Sequence, residues 1–376
     1  AMEPVAEALW ALAEYHEQRK EFGKGVKCLE AICQSPVSFL PIVEVKTRLR
    51  VAALLLKHSH NVNHAKAHLE RAQLLLKAIP SCFELKCRAF SLLSQCYHLV
   101  GAISSQKQIL SRAIDLTVIS GDGFARRLWA CNFNSQLANA LIIEGDYHGS
   151  ILALEQGFTC AVEMCYPEMQ MFFACSILHV QVMHWESTNL VEESVNRCNM
   201  IWESFEPKQR QQCLGLFFYY ELLQLFYLLR ICDYKTATQR LENLDSFVKS
   251  DMERMQAIQD LRNELAVLKQ SLLRTDLNFR ERSALLEKQD NLEERLSGYM
   301  ESTSTERVTL EPAYFGNVKR ACNEKLELAP PPLNGEWLPK SAVYALVDLM
   351  VVVFGRPKGL FKDCQRRIQS GLQTIG

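Results

Sequence analysis

The sequence predicts an all-α protein, a solenoid of stacked helix pairs, and three observations support this prediction. Apolar residues make up 48% of the 376 residues, which is enough for a continuous core. Glycine and proline are scarce, at 16 and 12 residues, so long helices are rarely interrupted. A pattern of small and large residues typical of paired helices also recurs along the chain.

The repeated unit consists of two antiparallel helices in which small residues allow close approach and large residues fill the space between them. In the second unit, Ala53 of the first helix is followed by Ala65 and Ala72 of the second. The corresponding positions of the six first helices are Ala13, Ala53, Ser94, Ala138, Val182 and Leu225. Their spacing exceeds the roughly 34 residues of a TPR unit. We therefore predict a TPR-like helical-repeat superhelix with longer helices or looser turns.

Prolines support this division of the chain into helix pairs. They occur between the proposed units or near their edges, at Pro36, Pro41, Pro80, Pro167 and Pro207. Because proline disfavours a helical conformation in the residue before it, we expect helices to stop at these positions.

The pattern predicts four segments. Residues 1–245 hold six TPR-like helix pairs, and residues 246–300 form a long charged helical hairpin in which leucines recur every three or four residues. This hairpin is either a projecting arm or an enlarged solenoid unit. Residues 301–338 form a loop and a Pro-rich linker, and residues 339–376 begin a further helix pair that is truncated.

Composition excludes several classes of protein. The net charge of -1 argues against a dedicated DNA-binding module, although a local basic patch remains open. Many of the 14 cysteines lie within apolar helical patterns, which is typical of reduced, buried thiols. The most apolar run, Ala342 to Phe354, is too short to span a bilayer and contains Asp348. We expect neither strong direct DNA binding nor a membrane partner.

No motif for catalysis or cofactor binding is present. The sequence lacks phosphate-binding, metalloprotease, serine-hydrolase and Rossmann patterns, so we predict no catalytic residue, no cofactor and no metal. His64 and His68 could share one face of a helix, but no carboxylate or cysteine completes an obvious metal-binding set. Surface or packing histidines are predicted instead. An enzyme would need polar groups assembled across repeats, and a stoichiometric bound cofactor would reveal it.

The first helices of a TPR superhelix line its concave face, and one stripe of each helix points into this groove. Three asparagines fall within one predicted helix, where they are unfavourable, so we infer that they have a task. An amide could pair with the backbone of an extended peptide, or it could satisfy neighbours inside the solenoid. The predicted partner-binding groove comprises Trp10, Glu14, Arg50, Leu54, Lys57, Gln95, His98, Asn132, Ser135, Asn139, His179, Met183 and Phe226.

Three strings carry a family resemblance: KCLEAICQS, SHNVNHAKAHLERA and LELAPPPLNGEWLPKSAVYALVDLMVVVFGRPKGLF. They resemble the sister chromatid cohesion protein four family, the TPR subunit of the cohesin loader, and especially its plant members. The resemblance covers essentially the whole chain. It implies a protein without known catalytic activity whose superhelix encloses an extended N-terminal segment of the large adherin, or Nipped-B-like, subunit. It also implies that this pair helps cohesin to engage chromatin.

From this resemblance we predict a non-enzymatic scaffold subunit that acts in sister chromatid cohesion, with cohesin and chromatin as indirect partners. The expected location is the nucleus, with the cytoplasm as an open alternative. Family members are longer, and the sequence stops abruptly within a promising helix, so we expect an N-terminal fragment. The alternative is a TPR adaptor of another assembly that captures a short peptide.

Overall fold

The fold was analysed in a computed structural model that describes residues 3–36, 39–119, 123–301 and 338–355. Within these residues the chain forms fifteen helices and no strand. The predicted all-α helical-repeat class is therefore confirmed. None of the described helices is long and apolar enough to cross a membrane. The chain divides into two compact units, and residue 187 begins the second.

The first unit consists of successive antiparallel helices, each packed on the next in sequence. Its helices are α1 (Glu3–Gln18), α2 (Phe22–Cys33), α3 (Pro41–His58), α4 (Val62–Lys77), α5 (Phe83–Leu99), α6 (Ile103–Ile119), α7 (Gly123–Glu144), α8 (Tyr147–Glu163) and α9 (Pro167–Met183). Helix α5 also contacts α3 and α7, as stacked first helices should. The predicted division of residues 1–245 into six helix pairs stays a prediction.

Small residues sit where the helices approach most closely. A Cβ atom on Gly25 of α2 would lie 3.2 Å from the carbonyl oxygen of Ala13 on α1. Ala65, Leu69 and Ala72 of α4 are fully buried in the same core cluster as Leu49 of α3. The small positions identified in the sequence thus serve helix packing.

Turn chemistry explains where the helices begin. Asn61 caps α4 by accepting a hydrogen bond from the backbone N–H of His64, and Asp146 caps α8 in the same way. Pro41 and Pro167 are the first residues of α3 and α9 rather than the ends of earlier helices. Proline suits this position because its fixed φ is helical and the first N–H of a helix has no intrahelical partner.

The second unit is dominated by one long helix. Its elements are α10 (Thr188–Glu203), α11 (Pro207–Gln212), α12 (Leu214–Arg230), α13 (Tyr234–Leu272), α14 (Phe279–Glu301) and α15 (Lys340–Gly355). Helix α13 pairs with α12 near its start and with α14 near its end, so the predicted division at residue 246 falls inside a continuous helix. The spacing of apolar residues changes there because the first part of α13 packs on α12 and the last part packs on α14.

A buried carboxylate fastens α15 to α13. Asp251 accepts hydrogen bonds from Arg254 at 2.8 Å, from Lys340 at 3.3 Å and from the hydroxyl of Tyr344. Burial alone would raise the pKa of Asp251, but these hydrogen bonds and the charge of Lys340 hold that pKa below its usual value. The clamp places α15 within the second unit.

Two sequence predictions lie mostly outside the described residues. The loop and Pro-rich linker of 301–338 belong to this part, and the truncated helix pair of 339–376 is described only as far as 355. Each described cysteine is a free thiol. Burial raises the pKa of Cys33 to about 11 and that of Cys96 to about 12, so both are protonated and unreactive at neutral pH.

Candidate partner-binding surface

At the N-terminal end of the predicted stripe, α1 and α3 are joined by polar contacts. The indole Nε1 of Trp10 donates to the hydroxyl of Thr47 at 2.9 Å, and Arg50 Nη1 donates to the Trp10 carbonyl oxygen at 3.4 Å. Leu54 is buried in the adjoining core cluster, against which Trp10 also packs. Trp10 and Arg50 therefore join the helix pair α1–α2 to the helix pair α3–α4 at the surface where a partner was predicted.

A ladder of polar side chains joins α5 to α7. Gln136 Nε2 donates to the hydroxyl of Ser91 at 2.8 Å and to Asn132 Oδ1 at 2.5 Å. Gln95 lies one helical turn beyond Ser91 on α5, and all four side chains are buried. The sequence prediction included Gln95 and Asn132 but omitted Gln136 from the groove. The spacing of four residues between Asn132 and Gln136 is the signal that would have found it.

This ladder leaves polar atoms without partners. Asn132 Nδ2, Gln95 Oε1 and Gln136 Oε1 are buried and accept or donate no hydrogen bond. One of them is an N–H donor and two are carbonyl acceptors. A buried polar group without a partner costs about 1–3 kcal/mol, because water no longer satisfies it. The ladder thus contains both an unpaired donor group and unpaired acceptors, and all of them are shielded from water.

The three asparagines of α7 differ in their surroundings. Asn134 Nδ2 donates to the carbonyl oxygen of Ala130 at 2.8 Å, one turn earlier in the same helix. The Asn134 amide is therefore hydrogen-bonded within the solenoid. Asn132 keeps one donor unpaired, and Asn139 is also buried.

The remaining predicted groove residues do not form one uniform surface. Within the first unit, Glu14, Lys57 and Met183 are exposed, His98 is half-buried, and Ser135 and His179 are buried. Phe226 is half-buried on α12 and belongs to the second unit. The structure brings Trp10 together with Arg50 and joins Asn132 to Ser91 through Gln136, whereas Gln95 is buried on α5 one turn beyond Ser91. The role of these residues in binding stays a prediction.

In the folded chain a carboxylate lies beside the two histidines of α4. The sequence alone had not revealed this carboxylate. Glu30 Oε1, on α2, lies 2.5 Å from His64 Nε2 and 3.0 Å from His68 Nε2. Among the described residues these three form the group whose ligand atoms could hold a metal ion. Glu30 precedes His64 by more than thirty residues, so local spacing could not reveal it.

A neighbouring arginine makes this group a poor metal site. Arg48 Nη1 lies 3.0 Å from His68 Nδ1, and because arginine only donates, Nδ1 must be the acceptor. The proton of His68 is then on Nε2 and is donated to Glu30. A zinc ligand at Nε2 would need its proton on Nδ1, facing the guanidinium. The geometry therefore fits a hydrogen-bond network that links α2, α3 and α4.

Comparison with known proteins shows which family the chain is similar to. The profile of the cohesin loading factor family matches residues 22–375. The sister chromatid cohesion protein SCC4 of Arabidopsis thaliana is 54% identical over 371 residues, which are 99% of this chain and 51% of that protein. The MAU2 chromatid cohesion factor homolog of Drosophila melanogaster is 27% identical over 251 residues, 65% of this chain and 38% of that protein.

The match is thus continuous along the chain, and the chain spans about half the length of the plant relative. The matched residues include every described helix from α2 onward, so the same sequence that builds the stacked helices carries the likeness. The chain belongs to the cohesin loading factor family.

Proposed function

We propose that the chain is a non-enzymatic scaffold of the nuclear cohesin-loading complex, and that its first unit holds an extended segment of the adherin-type large subunit. Family membership supports a role in sister chromatid cohesion. The observation that carries the binding mode is the polar ladder, where Asn132 Nδ2 and Gln95 Oε1 are buried without partners.

An extended peptide offers the groups that these atoms lack. Each residue of such a segment exposes one backbone C=O and one N–H, whatever its side chain. Both amides are buried in the unbound chain, so binding has to turn them toward the groove. A C=O would then accept from Asn132 Nδ2, and an N–H would donate to Gln95 Oε1. Asn139 lies two helical turns beyond Asn132 and extends the same stripe. Backbone pairing would allow the scaffold to hold a segment without reading every side chain.

Apolar anchors accompany the amides in the predicted groove. Trp10 is half-buried where α1 meets α3, and Met183 is exposed at the end of α9. Aromatic and methionine side chains are frequent at protein interfaces, because they bury large area and adapt their shape. The first unit therefore supplies both apolar contacts and backbone hydrogen bonds.

The test is calorimetric titration of the protein with a synthetic N-terminal segment of its adherin-type subunit. Replacing Asn139 with Ala should weaken binding by about 1–2 kcal/mol, roughly five- to thirtyfold. The double variant Asn132→Ala/Asn139→Ala is the sharper test, since a long interface spreads its energy over many contacts.

Asn134→Ala provides the matched control on the same helix. Its amide is satisfied by Ala130, so its loss should leave the affinity unchanged. Circular dichroism verifies that each variant is folded. Unchanged affinity in a folded double variant would mean that the asparagines are structural and that the segment binds elsewhere.

A further inference from the structure

The far end of the α13–α14 hairpin is packed on itself. Its core consists of leucines contributed by the two helices, namely Leu261, Leu265, Leu268, Leu285, Leu292 and Leu296. The contacts that fasten α13 to α15 lie near Asp251, well before this point. The hairpin tip, residues 269–282, therefore has a structure maintained by its own interactions.

The tip is an ordered turn. Asn278 Oδ1 accepts from the backbone N–H of Glu281 at 2.8 Å, and Glu281 Oε2 accepts in return from the N–H of Asn278 at 3.3 Å, which together form a capping box. Arg274 donates two hydrogen bonds, of 2.7 and 3.2 Å, to the carboxylate of Asp276. Arg282 Nη2 donates to the carbonyl oxygen of Arg274 across the turn.

This ordered turn presents two large apolar side chains to solvent. Leu273, at the end of α13, is 80% exposed, and Phe279, at the start of α14, is 85% exposed. Both lie beside the capping interactions that fix the backbone, so they are displayed in a defined geometry. Single exposed apolar residues are common, but two on one preorganised turn resemble the anchors of a binding surface.

The free charges around these anchors are positive. Arg274 pairs with Asp276 and holds the pKa of that carboxyl below its usual value. Glu281 keeps its negative charge in the capping box, but the cations of residues 269–282 outnumber its carboxylates by four to two. Lys269 and Arg280 are exposed and form no ion pair with any described residue. The tip is thus apolar at its centre and basic around it.

We propose that the hairpin tip is a second docking surface, which binds an acidic protein segment bearing large apolar side chains. Leu273 and Phe279 bury the apolar side chains of that segment, while Lys269 and Arg280 face its carboxylates. Charge complementarity favours an acidic partner. A nucleic-acid backbone would satisfy the cations but would leave both apolar anchors in water, and so small a set of cations releases few counterions.

The probe for the test is a short fluorescein-labelled peptide in which glutamates alternate with leucines. Fluorescence anisotropy measures its binding to the full chain. A second peptide with each leucine replaced by serine, and a labelled DNA duplex, are titrated alongside. We expect the Glu–Leu peptide to bind and the double variant Leu273→Ser/Phe279→Ser to bind it at least about tenfold more weakly. Arg280→Glu should weaken binding and reduce its dependence on salt.

Met200→Ser is the matched control, because Met200 is 73% exposed on α10, outside the tip. It should leave binding unchanged, and thermal melts confirm that all variants fold. The proposal would be overturned by equal binding of the serine peptide, by tighter binding of DNA that the tip variants abolish, or by full binding of the Glu–Leu peptide by the double variant. Failure to bind the Glu–Leu peptide at all would also overturn it. The tip lies in the second unit, so none of these results bears on the asparagines of the first.

Discussion

Gly157 offers the sharpest test of how the first unit is packed. It lies on α8, and a Cβ atom at this position would be 2.3 Å from both Cε1 and Cζ of Phe173 on α9. Carbon atoms in contact are normally about 3.5–4.0 Å apart, so Phe173 would have to move by more than an ångström. Phe173 is fully buried and packs edge-to-face on Phe172, so its ring cannot move out into solvent without losing these contacts.

The expected change in the free energy of unfolding for Gly157→Ala follows from two opposing effects. Overpacking a core costs about 1–3 kcal/mol, and the short distances place this case at the upper end. Replacing a helical glycine with alanine contributes about 0.5–1 kcal/mol of stability. The net result should be a loss of about 2 kcal/mol. Gly298→Ala is the control, since no atom lies within 4 Å of its Cβ on α14, and this variant should gain about 0.5–1 kcal/mol.

Hydrogen-exchange mass spectrometry of peptides from α8 and α9 measures the effect locally, without assuming that both units unfold together. In a Phe173→Leu background the ring atoms are gone, so the penalty of Gly157→Ala should shrink and the two changes should couple. A Gly157→Ala variant as stable as the parent, with no coupling to Phe173, would refute this account of α8–α9 packing.

Three further predictions concern stability. Asp251→Ala should destabilise the second unit by about 2–3 kcal/mol in urea titrations, because Lys340 and Tyr344 lose their buried acceptor. Cys232→Gly should raise the urea midpoint, by about 1 kcal/mol of stability, because Cys232 has φ +60 in an exposed turn. Burial lowers the pKa of His68 below 6.5, so the folded state binds fewer protons than the unfolded state. Stability should therefore fall as pH drops below about 6.5, and His68→Gln should flatten that decline.

Local signals in the sequence indicated where neighbouring helices approach closely and where the chain turns. Ala65 and Ala72 recur at a spacing that only a close helical contact explains, and the structure buries both completely. Gly101 and Gly145 mark turns where the backbone adopts a positive φ that favours glycine. Such features depend on neighbours in sequence, and for this reason they can be predicted from one chain.

Polar contacts between residues far apart in the sequence could not be predicted in this way. The Glu30 carboxylate meets His64 and His68 only after α2 and α4 pack, and no spacing in the sequence specifies which carboxylate will do so. Lys340 reaches Asp251 across 89 residues for the same reason. The continuous α13 was also missed, because a change of packing partner alters the apolar pattern as a helix break does.

Helix α7 shows why the polar ladder is more than a defect of packing. From Leu128 to Ile142 nearly every side chain of this helix is buried, and apolar residues would serve such a position better than amides. Asn134 resolves the conflict by bonding to its own helix, whereas Asn132 leaves its donor unpaired although Gln136 already occupies its acceptor. A chain selected only for stability gains nothing from that unpaired donor. Departures of this kind from local consistency are expected where a protein binds something, which is why Asn132 is one of the residues to replace when the proposed binding mode is tested.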